Sequence, residues 1–266
     1  MFQTKKKNSL LWKFKSKESE LEHFLFASIH LIDNQIENII QQVLPFVKAC
    51  DVFAGEINFN EEAIHDVKEC LFLSDDFLNS ESYQKFITDL QFELFRRYKI
   101  DIHSFSHLKP IVFSNFISLL LLHCSPEQNV DRKLFDFAQM HSKELIGLED
   151  FHEHFSILNS ISETEQFAMV SKSFSNLKQL RMSMKISLKK YKNQEINYLY
   201  KFGKKMLGKH KSIMLYQRNT RMVETLLNYC DTKSVFATCG AAHFDGKYGI
   251  LAQLKRKGFE CKPVHI

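Results

Sequence analysis

The chain has 266 residues, of which 44% are hydrophobic and 25% charged, an ordinary composition for a globular protein. Eight glycines and four prolines exclude collagen-like, linker-dominated and low-complexity chains, and a net charge of +5 does not by itself indicate nucleic acid or a membrane as a partner. The six cysteines include no CxxC pair and are too sparse for a disulfide scaffold. We therefore expect a compact body whose thiols stay reduced.

The N-terminus and the longest apolar run indicate where in the cell the protein is located. Residues 1–17 carry three lysines before a short apolar piece at residues 10–12, which is too brief for the core of a signal peptide. Residues 111–122 are interrupted by two serines and an asparagine, and they fall short of the ~20 residues that cross a bilayer. The sequence thus predicts a cytoplasmic protein with no membrane span.

The chain begins with segments that form strands. Residues 10–14 and 23–29 are short and apolar, and the polar residues 15–20 between them predict a β-hairpin. Residues 43–50 have the pattern of a helix end, and the brief apolar run 52–57 predicts a buried strand. The first part of the chain is thus expected to supply strands to a sheet.

The middle of the chain is expected to be helical. Apolar residues recur there at helical spacing, and Asp131 is a suitable N-cap for one of these helices. The helical segments are residues 83–98, 111–122, 134–143, 163–191, 194–207 and 212–228. Residues 145–148 interrupt them as a second candidate buried strand.

The end of the chain predicts an α/β unit. Residues 234–239 form a strand, residues 247–257 a helix that stops at Gly258, and residues 259–264 the last strand. No period of 20 to 50 residues is visible, so a solenoid is excluded.

These elements together predict the fold class and the domain organisation. The class is α/β (α+β), with a mixed central sheet built from the N- and C-terminal segments and a large helical middle region. We expect residues 1–266 to form a single domain in which residues 61–226 are a mostly helical insertion. This insertion is expected to cover the cleft and to choose the substrate.

Four predicted strands end next to a residue that binds metals or transfers protons. His30 comes after residues 24–29, Glu56 after residues 52–55, Glu149 after residues 145–148 and His243 after residues 235–240. Ligands of open α/β sheets gather at the carboxyl ends of the strands, so two histidines and two carboxylates can meet in one pocket there. Each residue taken alone is more often a cap or a solvated side chain, and the pocket is a hypothesis that depends on all four.

Two other pairs of histidines are weaker candidates for a metal site. His103 and His107 have the spacing of two metal ligands on one helix, but their polar neighbours and a following proline favour a surface helix end. His152 and His154 are two residues apart, which places them on opposite sides of a helix and towards solvent. Neither pair is therefore expected to bind a metal.

Two further features have both a functional and a structural interpretation. Cys239 lies at a predicted strand end, where a thiol can act as a nucleophile, but as the inward residue of a buried strand it is expected to pack in the core. Residues 178–211 are strongly basic, as in segments that bind nucleic acid or acidic lipid. No recognised module with exposed aromatic residues accompanies them, so we expect a solvated helical face and no nucleic-acid partner.

Five segments in chain order resemble the motifs of the GumN/TraB family. A tryptophan-bearing strand followed by a strand that ends at His30 is similar to the opening of the family, and the strand that ends at Glu56 is similar to its next segment. Residues 131–149, an aspartate, a helix and a strand that closes on Gly-Leu-Glu, are similar to its middle motif. Residues 217–219 and 236–246 look like its C-terminal signature. The resemblance covers essentially the whole chain.

The family includes plasmid pheromone-shutdown proteins, proteins from polysaccharide gene clusters and the animal Tiki proteins, the last regarded as metal-dependent proteases. The resemblance therefore implies a hydrolase with a divalent metal ion. His30 and His243 match the histidines of the family, and Glu56 and Glu149 match its glutamates. Ala27 stands where the first motif normally has glycine, whereas the second motif retains its glycine.

Histidines and carboxylates suit a catalytic metal site, because they bind a divalent ion and leave positions for water. We expect His30, Glu56 and His243 to converge on one divalent ion, Mn, Co or Zn, although more than 200 residues separate the two histidines. Glu149 is expected to take and return the proton, and Arg218 to hold an oxyanion or a substrate carboxylate. The spacing leaves open which glutamate binds the metal and which acts as base.

Two functions of different classes follow. The first is a metal-dependent peptidase that hydrolyses a peptide or small-molecule substrate with metal-activated water. The second is a non-catalytic protein that captures a peptide, haem or another small ligand in the same cleft. For Arg218, the alternative to a catalytic role is an exposed helix residue that pairs with Glu224.

Overall fold

The computed structural model describes residues 8–59, 68–124 and 129–266. Its strands are β1 (Leu11–Lys15), β2 (His23–Ser28), β3 (Val52–Gly55), β4 (Glu144–Gly147), β5 (Val235–Gly240) and β6 (Glu260–Val264). Its α-helices are α1 (Asn34–Ala49), α2 (Lys68–Leu71), α3 (Asp75–Leu78), α4 (Glu81–Tyr98), α5 (Pro110–Leu121), α6 (Val130–Met140), α7 (Phe151–Asn159), α8 (Glu163–Phe174), α9 (Leu177–Lys192), α10 (Ile196–Leu207), α11 (Arg218–Cys230) and α12 (Ile250–Arg256). Helices therefore separate the strands of the two chain ends.

Across the described ranges, the strands form one mixed six-stranded sheet in the order β4-β3-β5-β2-β1-β6. β2, β3, β4 and β5 pair in parallel, while β1 pairs antiparallel with both β2 and β6. The predicted α/β class, with a mixed sheet from the N- and C-terminal segments, is thereby confirmed. β4, which comes from the middle of the chain, adds an edge strand to it.

The central strands are mostly apolar, because residues on both of their faces are buried. Every residue of β2 and β3 is buried, and so are the first five residues of β5. A parallel strand in this position requires a continuous apolar run rather than an alternating one. The predicted hairpin is present at the N-terminus, where Leu11 pairs with Phe26 and Phe14 with His23.

Local side chains explain several helix ends. Asp33 caps α1, because its carboxylate accepts hydrogen bonds from two backbone N–H groups at 3.0 Å. Gly258, with a φ of +93°, follows α12 in the left-handed conformation that ends many helices. The prediction that Asp131 is an N-cap is wrong, since Asn129 caps α6 and Asp131 lies buried in its first turn. The helix predicted over residues 163–191 is divided into α8 and α9, because an asparagine side chain caps the start of α9.

The described residues form two compact units. One comprises residues 8–59, 129–154 and 187–266, and it contains the whole sheet. The other comprises residues 68–124 and 155–186, and it is helical. The unit with the sheet is assembled from three stretches of chain, so residues far apart in the sequence meet in it.

The helical unit has an apolar core of its own. Tyr83 and Leu94 of α4 pack there with Phe113 and Ile117 of α5. The Tyr83 hydroxyl donates to the Ser106 carbonyl at 2.6 Å, so its polar group is satisfied. Among the helices described, none has the length and apolar character needed to cross a membrane.

Candidate metal centre

The candidate site lies where the parallel strands of the sheet end. β2, β3, β4 and β5 run in the same direction, so the loops that follow them leave the sheet at one edge. Backbone pairing continues beyond β3 and β4: the Leu148 N–H donates to the Gly55 carbonyl at 2.7 Å, and the Glu149 N–H donates to the Glu56 carbonyl at 3.0 Å. This pairing holds Glu56 and Glu149 side by side.

Arg218 links the two glutamates. It is the first residue of α11, and its side chain is only 8% exposed. Its Nε donates to both carboxylate oxygens of Glu149 at 2.9 Å. Its Nη2 donates to Glu56 Oε1 and to Glu149 Oε2, at 2.5 Å in each case. Arg218 is therefore a buried residue that serves two carboxylates, and not an exposed helix residue.

His154 completes this group, although the sequence predicts it on the solvent side. It lies in α7, which begins directly after the loop that carries Glu149, and its side chain is 20% exposed. Its Nδ1 lies 3.2 Å from Glu149 Oε2 and 3.0 Å from Arg218 Nη2. One sequence feature could have indicated that His154 belongs to the site. It lies one turn into a helix that directly follows a strand-end glutamate. Its neighbour His152 is exposed, as predicted.

Glu56, Glu149 and His154 bring potential metal ligands together. One ligand atom from each residue lies within 4.8 Å of the other two. Carboxylate oxygen and imidazole nitrogen are suitable donors for Zn²⁺ and Mn²⁺. Two carboxylates share the single charge of Arg218, which leaves one negative charge that the guanidinium does not balance. Both the donor atoms and their charge therefore fit a bound cation.

Both carboxylates remain ionised at neutral pH. Burial opposes ionisation of Glu56, but the charge of Arg218, together with that of His30, outweighs burial and holds the pKa of this carboxyl well below its usual range. Burial also opposes ionisation of Glu149, and hydrogen bonds from His154 and Arg218 lower the pKa of that carboxyl. The site therefore presents two anionic groups.

His243 is held as a neutral imidazole. It ends the 3₁₀ turn Ala241–His243 after β5, and its Nδ1 donates to Asn219 Oδ1 at 2.5 Å. The Asn219 amide is oriented by its own Nδ2, which donates to the carbonyls of His243 and Tyr248. Burial lowers the pKa of His243 to about 4. Its Nε2 therefore keeps a free lone pair at neutral pH, the form that binds metals.

His30 is the most exposed of the predicted ligands. Its side chain is 60% exposed, and its Nδ1 lies 3.1 Å from Asp131 Oδ2. Desolvation opposes the charged imidazolium, but the hydrogen bond and charge of Asp131, with the charge of Glu56, outweigh it and raise the pKa of His30 to about 9. The pairing with Asp131 is the main cause, because the ring is largely open to water. Convergence of His30, Glu56 and His243 on one ion stays a prediction.

Comparison with known protein families shows to which family the chain belongs. A sequence model of the TraB/PrgY/gumN family matches residues 10–263, which is nearly the whole length. The chain belongs to the TraB/PrgY/gumN family. The resemblance of the five sequence segments is thereby confirmed. A search of curated proteins finds no match to the chain.

This member of the TraB/PrgY/gumN family accommodates alanine in place of the glycine of the first motif. Ala27 is fully buried in β2 opposite Cys239, and it does not adopt a positive φ. In the second motif, the Gly240 N–H donates to Glu56 Oε2 at 3.0 Å. A Cβ on Gly240 would lie 3.6 Å from both Glu56 Oε2 and His243 Cδ2, which is an ordinary contact. Alanine is therefore sterically compatible with both motifs.

The other residues that the sequence offered as functional candidates lie in environments that suit a structural role. Cys239 is fully buried, and burial raises the pKa of its thiol well above the ordinary value, which supports packing rather than nucleophilic chemistry. His103 begins an exposed 3₁₀ turn, and the His107 ring packs on Phe72 with a centroid distance of 5.0 Å. Neither histidine belongs to the group of potential metal ligands formed by Glu56, Glu149 and His154.

The basic residues 178–211 lie on α9, on α10 and in the segments that follow them. Some of them pair with acidic groups, as Lys190 does with Glu195 at 2.8 Å. Others, such as Lys178, Lys185 and Lys201, have exposed side chains. The absence of a nucleic-acid partner stays a prediction.

Proposed function

We propose that this protein is a metal-dependent hydrolase that cleaves peptide bonds. The observation that carries the proposal is the convergence of two ionised carboxylates and an imidazole, from Glu56, Glu149 and His154, at the carboxyl edge of parallel strands. Membership of the TraB/PrgY/gumN family supports the same proposal, because the sequence motifs that resemble this family imply a metal-dependent hydrolase.

Glu56, Glu149 and His154 would hold a divalent ion, Mn, Co or Zn. His243 and His30 are the further candidate ligands, and His243 offers Nε2 because its Nδ1 donates to Asn219. A divalent ion bound in such a site supplies a water ligand of lowered pKa and an electrophile for the substrate carbonyl.

Glu149 is the residue that we assign to proton transfer. Its carboxylate is ionised, and it has two oxygens, so one can serve as a ligand while the other accepts a proton. Its Oε2 lies 3.2 Å from His154 Nδ1, which places a second titratable group next to the proton acceptor. Glu149 would return the proton to the leaving amine.

Arg218 would orient the carboxylates and bind negative charge. Burial opposes its charged form, but the charges and hydrogen bonds of Glu56 and Glu149 outweigh burial and raise the pKa of the guanidinium. It therefore stays cationic throughout the working pH range, and its planar fork suits an oxyanion or a substrate carboxylate.

Two expectations from the sequence stay predictions. One is that residues 61–226 cover the cleft, and the other is that the protein is cytoplasmic.

Metal analysis and a cleavage assay test the proposal. Protein purified without a chelating tag should contain Mn, Co or Zn, and it should cleave members of a peptide library until the metal is removed. Glu149→Gln should abolish cleavage, whereas Glu153→Gln, at an exposed position of α7, should retain it. Bound metal without cleavage by the wild type would favour the alternative, capture of a peptide, haem or another small ligand. Failure to bind any of these metals would contradict the proposal.

A further inference from the structure

A positive charge already lies at the point where the three potential ligand residues converge. Arg218 Nη2 is 2.5 Å from Glu56 Oε1, 2.5 Å from Glu149 Oε2 and 3.0 Å from His154 Nδ1. These residues are the same three whose ligand atoms lie within 4.8 Å of one another. One guanidinium nitrogen therefore occupies the position that a coordinated ion would take.

An ion and this nitrogen cannot share the position. Mn²⁺ and Zn²⁺ bind oxygen and nitrogen ligands at ~2.0–2.2 Å, which is close to the contacts that Nη2 makes with the same groups. Two cations within a few ångströms of each other in a buried site repel strongly, because little water screens them. Occupation by one requires that the other withdraw.

The present contacts of Arg218 also limit what it can bind. Its Nε donates to both oxygens of Glu149, and its Nη2 is held by both glutamates. Its Nη1 donates to the Met214 carbonyl at 3.4 Å. The donors that face the carboxylates are therefore not available to an oxyanion while these contacts persist.

We propose that Arg218 is an internal cation that a divalent metal ion displaces from Glu56, Glu149 and His154. Displacement by the ion frees the guanidinium donors, so metal binding and the binding of substrate anions by Arg218 are coupled. The inference rests on the proposed metal centre, and it adds to that proposal a competition between a residue of the chain and the ion. It also explains how one buried arginine can both neutralise the carboxylates and later serve the substrate.

Calorimetric titration with Mn²⁺ measures the competition directly. Arg218→Met should bind Mn²⁺ at least ~10-fold more tightly than the wild type, since a coupling between two ligands commonly amounts to about 5–150-fold. Arg221→Met is the matched control, because Arg221 lies on the same helix and its Nε and Nη2 make no hydrogen bond in the described part of the chain. This control removes the same charge and should leave the affinity unchanged.

Thermal unfolding provides a second readout that does not depend on activity. Saturating Mn²⁺ should raise the Tm of Arg218→Met more than that of the wild type, because the ion replaces the missing charge beside the carboxylates. If Arg218→Met does not fold, Arg218→Lys serves instead, since a single ammonium cannot keep the Nε and Nη2 contacts together. Arg218→Lys should then bind Mn²⁺ more tightly than the wild type.

The outcomes separate this inference from the proposed function. Equal Mn²⁺ affinity in the wild type and the Arg218 variants would overturn the competition and leave the metal centre standing. An equal gain in Arg221→Met would also overturn it, because the effect would then come from net charge alone. Absence of Mn²⁺ binding in the wild type together with tight binding in Arg218→Met would support the competition but contradict the proposed function, because Arg218 would then exclude the ion from the native protein. Absence of binding in every variant would overturn both proposals.

Discussion

At the scale of single residues, Arg218 determines the electrostatic state of the candidate centre. It is the common partner of Glu149, whose side chain is buried, and of Glu56, whose side chain is 13% exposed. Removing one partner of a buried ion pair leaves an uncompensated charge and typically destabilises a protein by about 3–5 kcal/mol. A variant that retains the charge is therefore the informative one for catalysis.

Arg218→Lys should keep the fold and the bound metal but lower turnover by ~10²-fold or more, which is the scale of losing one oxyanion donor. Lysine retains the charge but lacks the two parallel donors of the guanidinium. The measurement is kcat on a peptide selected from the library, with metal content and circular dichroism as controls. Turnover at the wild-type rate would remove Arg218 from the catalytic machinery.

His23 makes the stability of the chain depend on pH. It is fully buried in β2, its Nδ1 accepts a hydrogen bond from the Val235 N–H at 3.3 Å, and its ring stacks on Phe14. Burial lowers its pKa to about 4 from an ordinary value of about 6.5. As pH falls below about 6.5 the unfolded chain binds a proton that the folded chain does not, so the folded state loses stability.

This linkage predicts a loss of about 3 kcal/mol in the free energy of unfolding as pH falls from about 6.5 to about 4, with little contribution from His23 above that range. Urea unfolding at several pH values measures it. His23→Phe should unfold more easily at neutral pH, because Val235 loses its acceptor, but its stability should change less with pH than that of the wild type. The exposed His103→Gln should retain the full dependence, and an unchanged slope in His23→Phe would contradict the assignment.

At the scale of secondary structure elements, the edge formed by β3 and β4 positions both glutamates. Gly55 pairs with Gly147 at the ends of these strands, and the backbone then continues pairing through Glu56 and Glu149. The chain is tightly packed here: a Cβ on Gly147 would lie 2.6 Å from the Glu149 carbonyl oxygen and 3.0 Å from the Asn58 backbone nitrogen. The glycine therefore permits the close approach that brings the carboxylates together.

Gly147→Ala should accordingly lower the Tm and weaken metal binding, because backbone atoms cannot move aside as a flexible side chain would. Thermal unfolding and Mn²⁺ titration measure the two effects. Gly240→Ala is the matched comparison, since its Cβ would make only contacts of 3.6 Å, and its Tm should remain close to that of the wild type. If both variants behaved alike, packing around Gly147 would not be what positions Glu149.

At the scale of the whole molecule, the fold is held by packing and pairing rather than by covalent cross-links. All six cysteines lie within the described residues, and none of them forms a disulfide there. Burial raises the pKa of Cys50 and of Cys230 to about 12, so these thiols resist ionisation and oxidation. Stability should therefore be independent of reducing agents.

We expect six thiols to react with a thiol reagent after denaturation without reductant, and the Tm to be the same with and without reductant. In the native protein, the buried Cys50, Cys230 and Cys239 should react much more slowly than Cys70 and Cys261. Fewer than six reactive thiols in the denatured chain would contradict the disulfide-free fold.

Much of the architecture was determined by the sequence itself. The N-terminal hairpin, the strands β3, β4, β5 and β6 and most helices follow from apolar patterns that act over a few residues, and such patterns can be recognised without knowledge of the fold. The strand-end positions of Glu56 and Glu149 indicated a shared site, whereas Arg218 was indicated by the resemblance of residues 217–219 to a motif of the family. The strand-end position of the two glutamates was sufficient to predict that they lie at one edge of a sheet.

Only the tertiary structure decided which side chains meet there. The order β4-β3-β5-β2 results from pairing between segments far apart in the chain, and it determines which loops become neighbours. The inward orientation of His154 depends on how α7 is rotated about its own axis relative to Glu149. The two-residue spacing between His152 and His154 carries no information about that rotation. Burial is likewise a property of the assembled fold. It makes Arg218 the shared partner of two carboxylates and keeps His243 neutral, whereas His30 remains exposed and pairs with Asp131.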